Sequence, residues 1–210
     1  MERDASKWDI WKVTLATTGD GFFRGKPPRL WGVGDPALLN YPLLGIIAAR
    51  QNDSDLASKT SQLLGQLAPL KNVAFVSGWH SPLEEDALGI LLAQEASIVL
   101  CIAKSLDRFI PSIGIENRIA EGKALILTHC GPKVSRITRN ASLRRNELIV
   151  ELTKALLVVS APEVSASFSL AQSALRRGKV VLTPEHPFNK ELLASGALPA
   201  TLGNFQTALS

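Results

Sequence analysis

Residues 73–103 read VAFVSGWHSPLEEDALGILLAQEASIVLCIA, and this stretch decides the fold. It opens on one apolar run, residues 73–77, and closes on another, residues 97–103. Neither run alternates between apolar and polar residues, which is the pattern of parallel strands whose two faces are both covered by helices. Between them Ser81 offers a helix N-cap, Pro82 suits the first helical position, and Glu84 and Glu85 place negative charge in the first turn. Leu83, Ala87 and Leu91 then recur at four-residue spacing and give that helix one apolar face. Strand, helix, strand in this order is the unit of an α/β sheet.

The alternation continues on both sides. Residues 43–49, 124–128, 155–160 and 179–183 read as further buried strands. Asp53 or Ser54 caps a helix running to about Leu67, residues 111–121 end at Gly122, and residues 168–177 end at Gly178. A helix over residues 143–153 carries Leu148, Ile149 and Leu152 on one face. About five such alternations predict a doubly wound, mostly parallel, Rossmann-like α/β sheet. The first residues break the rhythm, because Trp8, Trp11, Phe22 and Phe23 crowd around the turn signal at residues 17–21. We expect residues 1–25 to be a short accessory segment on a domain spanning residues 26–210, with a partner-binding aromatic arm as the alternative.

Composition narrows the function classes. A chain of 210 residues, 46% hydrophobic and 20% charged, folds rather than staying disordered. Its longest apolar stretch, residues 87–103, is interrupted by Gln94, Glu95 and Ser97, so no membrane helix is expected. Residues 1–4 carry both charge signs and lead into no secretory signal, from which a cytoplasmic location is expected. Cys101 and Cys130 are too few for a disulfide framework or a four-ligand zinc site. A net charge of +4 permits an anionic partner without requiring one. Local clustering says more, since Lys133, Arg136, Arg139, Arg144 and Arg145 follow one another with no acid among them. Such a run is either a solvated face or an anion-binding surface.

Open α/β sheets bind ligands beyond the carboxyl ends of their strands, and three loops there carry candidates. Arg50, after the first strand of the alternation, either forks onto a phosphate or pairs with Asp53 or Asp55. In the loop at residues 77–82, Gly78 relieves backbone crowding beside Ser77, and Trp79 either stacks on a base or packs. Ser165 and Ser167 stand at a helix entrance, where hydroxyls cap N–H groups or hold a phosphate. Arg144 and Arg145 sit near an expected helix start, where the positive macrodipole disfavours cations unless an anion answers them; Glu147 answers in part. His80, His129 and His186 lack partners at recognisable spacings and read as structural. No nucleophile triad, P-loop or H-E-x-x-H motif is present, so we assign no catalytic residue, metal or cofactor. A non-enzymatic role is favoured, with enzymatic activity left open.

Several of these segments resemble the DNA-processing protein DprA (Smf) family. Residues 26–35, KPPRLWGVGD, are similar to its proline-containing lead-in to Gly-Asp; residues 44–50 resemble a strand ending in V-G-S-R; Val76-Ser77-Gly78 matches V-S-G. Residues 145–162, RNELIVELTKALLVVSAP, resemble R-N-R-I-I-A-G-L-S-D-A-V-L-V-V-E-A, and Ser165-Ala166-Ser167-Phe168 stands where S-G-S-L is usual. The likeness runs from about residue 26 to 198 and implies a Rossmann-like core without the helical N-terminal domain or winged helix of many members. Ala48, Ala166 and Glu147 depart from the family pattern, as does the whole run Trp79 to Ala87. Carried over residue by residue, the likeness makes Arg50 and Arg145 the first phosphate-contact candidates, with Arg144, Arg139 and Lys133 from the basic run beside them. Ser77, Gly78, Ser165 and Ser167 come second. It implies single-stranded DNA as the partner, a homodimer, and a recombinase or another protein as a further partner class. Two other readings compete: a pocket for a nucleotide-derived small molecule, as sensor or hydrolase, and a regulatory protein-interaction module in a phage-defence setting.

Overall fold

In the computed structural model residues 10–14, 29–51 and 53–210 are described. Two antiparallel strands lead in, β1 (Trp11–Thr14) on β2 (Arg29–Gly34) and β2 on β6 (Ala124–Thr128). The other strands are β3 (Leu43–Ala48), β4 (Ala74–Ser77), β5 (Ser97–Ile102), β7 (Ala155–Ser160), β8 (Val180–Thr183) and the short β9 (Leu198–Pro199). Together they form a nine-stranded sheet in the order β1-β2-β6-β5-β4-β3-β7-β8-β9, parallel from β6 to β9. The doubly wound, mostly parallel Rossmann-like architecture is therefore present, and the six apolar runs are six of its seven parallel strands.

Helices cover both faces. Successive strand residues point to opposite sides, so Phe75, Ile98 and Leu157 face α1 (Ser54–Leu67), α2 (Pro82–Ala93) and α7 (Leu202–Leu209) through Leu56, Leu64, Leu91 and Phe205. Val76, Val99 and Val158 face α4 (Arg139–Leu152) and α5 (Ala166–Arg176) through Leu148, Ile149, Phe168 and Ala171. The remaining helices are α3 (Ile113–Ala120) and the short α6 (Lys190–Ala194).

Three differences from the sequence reading bear on function. First, β2 and the elements beyond β8 have no counterpart among the expected ones; β2 has glycine at two of its six positions, which weakens any strand signal. Second, α4 begins at Arg139 because the Thr138 hydroxyl accepts from Ala141 N–H at 3.1 Å and caps it there. Arg144 and Arg145 consequently lie in the second turn, and Arg139 opens the helix. Third, of the expected accessory segment only Ile10 and β1 are described; Trp8, Phe22, Phe23, the side chain of Trp11 and the boundary at residues 25–26 lie outside the described residues. Among the described residues no helix is long and apolar enough to cross a membrane.

The strand order reverses beside β3. From β3 the chain steps outward through β4 and β5 to β6, then α4 carries it back to β7 on the other side of β3. At this seam Ala49 N–H donates to the Ser160 carbonyl at 2.8 Å, and the register shifts between Ile47 and Ala48. Such a switch point opens a crevice at the strand tips.

Candidate nucleic-acid interface

The loop after β4 is shaped by one guanidinium. A Cβ built on Gly78 would lie 2.6 Å from Arg145 Nη1 and 2.7 Å from its Cζ, so only glycine lets the side chain rest there. Trp79 follows with φ +50°, a left-handed conformation costly for a bulky residue. It is held there by Nε1 donating to the Val99 carbonyl at 3.2 Å and by burial to 7% exposure. Of its two sequence readings, packing is the one realised. Phe168 is buried too, so neither aromatic of the candidate loops offers a face to a base.

From this loop a polar chain crosses the carboxyl edge of the sheet from one helical layer to the other. Glu84, in the first turn of α2, is only 2% exposed. Its Oε1 accepts from Ala48 N–H at 3.1 Å, at the tip of β3. Its Oε2 accepts from His80 N–H at 3.0 Å, from Ser81 N–H at 3.4 Å and from His80 Nδ1 at 2.9 Å. Burial alone would raise the Glu84 pKa, but the bonds from the His80 ring and backbone and from Ala48 outweigh it and hold the carboxyl below its ordinary range. On the far side of His80, Nε2 lies 3.0 Å from Arg145 Nη2. A guanidinium only donates, so Nε2 accepts and the hydrogen resides on Nδ1, facing Glu84. Arg145 Nε donates to Asn146 Oδ1 at 2.9 Å.

Arg145, expected near a helix start and within reach of a phosphate, is instead 5% exposed and belongs to the scaffold of the tips. The helix is already in its second turn here, and Arg145 shares the sheet-facing side of α4 with Leu148 and Ile149, three and four residues on. Ser77 is buried, with Oγ accepting from Trp79 N–H at 3.3 Å. Ser165 caps α5 by accepting from Phe168 N–H at 3.1 Å, and Ser167, buried, donates to the Ser160 carbonyl at 2.9 Å. All three hydroxyls are engaged within the fold, and of the two at the entrance of α5 it is Ser165 that caps the helix.

The exposed cations lie around this scaffold. Arg50 stands just past β3 and, among the described residues, makes no ion pair. Asp55 instead pairs with Lys59 at 2.7 Å, and Asp53 caps α1 through Leu56 N–H at 3.0 Å. Lys133 and Arg136 in the loop after β6, and Arg139 and Arg144 on α4, are all exposed. Beside them burial, with Arg144 and Arg145 close by, pulls His129 down to about 4, and burial pushes the Cys101 thiol up to about 12. Cys130, also raised by burial, lies 3.6 Å from His129 Nε2 as an inert thiol.

A possible ligand trio forms from Asp53, Asp55 and His186. His186 Nδ1 accepts from Phe188 N–H at 3.2 Å, which leaves the ring hydrogen on Nε2, 3.4 Å from Asp53 Oδ1. A ring in that state has no free lone pair for a metal. Glu84 and His80 are the residues that sequence reasoning missed. Glu84 was legible as a first-turn acid, but its bond to Ala48 spans 36 residues and has no local signature.

Comparison with known proteins agrees with this architecture. The chain aligns with the X-ray structure of DNA processing protein A from Streptococcus pneumoniae at TM-score 0.79 and 19% identity, over 99% of this chain and 76% of that one. It aligns with DNA processing protein A from Helicobacter pylori, a protein described for its single-stranded DNA binding mode, at TM-score 0.76 and 25% identity, over 97% of both chains. The molybdenum cofactor binding protein of Rippkaea orientalis shares the fold at TM-score 0.56 and 17% identity, over 80% of this chain and 94% of that one. Among curated proteins none matches. The family model for DNA recombination-mediator protein A matches residues 20–200, and the chain accordingly belongs to that family.

Proposed function

We propose that this chain binds single-stranded DNA in DNA processing or recombination, without catalysing a reaction. Arg50, Lys133, Arg139 and Arg144 would contact phosphates, while Arg145, Ser77, Gly78, Ser165 and Ser167 form the scaffold beneath them. The observation that carries this reading is the row of exposed cations at the carboxyl edge of the sheet, from Arg50 past β3 to Lys133 past β6, in a chain of this family. The single-stranded DNA binding described for the H. pylori protein supports the choice of ligand. With Trp79 and Phe168 buried, affinity from these loops is electrostatic and tolerant of sequence.

Four phosphates neutralised on a single strand give a salt slope of roughly −0.7 × 4, so a fourfold rise in salt weakens binding by about 50-fold. Fluorescence anisotropy of a labelled oligo-dT at two salt concentrations tests this. Absence of binding at low salt removes the reading. We further propose a homodimer acting in the cytoplasm, with a recombinase as protein partner. Sedimentation showing only a 22.6 kDa species at micromolar concentration refutes the dimer.

A further inference from the structure

The donors at the tips of β3 and β4 already have an anion. Ala48 N–H, His80 N–H, Ser81 N–H and the His80 ring nitrogen converge on one carboxylate at 2.9–3.4 Å. This is the kind of donor set that receives a phosphate at the mouth of an open α/β sheet: a strand end, a loop and the N-terminus of a helix, here α2. A capping box accounts for the Ser81 N–H bond and for its reciprocal, Glu84 N–H to Ser81 Oγ at 3.4 Å. It does not account for Ala48, which belongs to another strand, nor for the two bonds from His80. Arg145 lies directly behind, 3.0 Å from His80 Nε2, and the carboxylate is 2% exposed. These donors are already engaged by a buried carboxylate, so a second anion would have to displace it, and like charge repels one.

We propose that Glu84 is a built-in anion that sets the ligand class of this crevice, filling the position where a phosphate monoester would meet these donors. The chain thus excludes mononucleotides and free phosphate from the strand tips and leaves nucleic acid to the cations outside. Only that last clause rests on the single-strand reading; exclusion at the tips rests on the local geometry. The consequence is a direct choice against the small-nucleotide pocket that the sequence left open.

The test compares the wild-type chain with Glu84→Ala and Glu84→Gln, titrated with inorganic phosphate and with uridine 5′-monophosphate at constant ionic strength, by calorimetry and thermal shift. Glu84→Ala empties the position; Glu84→Gln keeps it filled. Wild type and Glu84→Gln are expected to show no saturable binding, and Glu84→Ala to bind phosphate at least tenfold more tightly than either. If Glu84→Ala does not fold unaided, phosphate or formate, but not equimolar chloride, should restore its refolding. The proposal is overturned by saturable phosphate or nucleotide binding to the wild type, by equal binding in Glu84→Gln and Glu84→Ala, or by a Glu84→Ala chain indifferent to both anions. Oligo-dT anisotropy on the wild type is a separate readout. Its failure removes the single-strand reading and leaves the phosphate result standing.

Discussion

Replacing Arg145 by alanine separates a buried strut from a phosphate ligand. The side chain makes two charge-assisted hydrogen bonds, to Asn146 Oδ1 at 2.9 Å and to His80 Nε2 at 3.0 Å, and is 5% exposed. Bonds of this kind contribute about 1.5–3 kcal/mol each. Against that, removal relieves the desolvation of a buried cation, and the His80 side chain, 39% exposed, regains a partner in water. The balance is a destabilisation of about 2–3 kcal/mol. At roughly 2–4 °C per kcal/mol for a chain of this size, Tm should fall by about 5–10 °C. Arg50→Ala removes only exposed contacts, so its Tm should stay within a degree or two. The DNA assay should show the reverse. Arg50→Ala lowers the magnitude of the salt slope by about 0.7, so the effect of a fourfold salt rise shrinks to roughly 20-fold, while Arg145→Ala keeps the wild-type slope. Thermal denaturation and anisotropy on the two variants decide it. An Arg145→Ala chain with unchanged Tm and a slope reduced by one phosphate would refute the buried-strut argument.

Gly78→Ala forces a Cβ to within 2.6 Å of the same guanidinium and should destabilise by about 1–3 kcal/mol in urea titration; in the Arg145→Ala background most of that cost should vanish, and additivity would count against the contact. Trp79→Phe should lower stability while leaving oligo-dT affinity within twofold, because the indole is buried and bonded to Val99; a larger loss of affinity would restore the base-stacking reading. His129, neutral in the fold down to about 4, takes up its proton in the unfolded chain near the ordinary imidazole value. The unfolded state binds more protons between those values, so stability falls as pH drops from about 6.5 to about 4, by on the order of 2 kcal/mol after allowance for solvent screening. Denaturant titrations across that window should show the loss in wild type and much less of it in His129→Gln.

The sequence alone determined the α/β class and the six central strands β3 to β8, because each of these is encoded within about ten residues. The apolar runs at β3 through β8 need only their own composition to declare a strand buried on both faces. The Ser81-Pro82 start of α2 and the Asp53 start of α1 need only their own caps, and both lie where those caps put them. The start of α4 was already less legible, since Thr138 is one weak capping signal in a stretch dominated by charge; the burial of Arg145 follows from its phase, three and four residues before Leu148 and Ile149. What the tertiary structure decided is which side chains meet. His80 and Arg145 are 65 residues apart, and Glu84 and Ala48 are 36 apart. They come together only because β3 and β4 are neighbours and α4 returns over them on the opposite face. Such pairings depend on strand order and helix packing, which no local window contains, so a histidine that looked isolated along the chain lies between a buried carboxylate and a buried guanidinium in the fold.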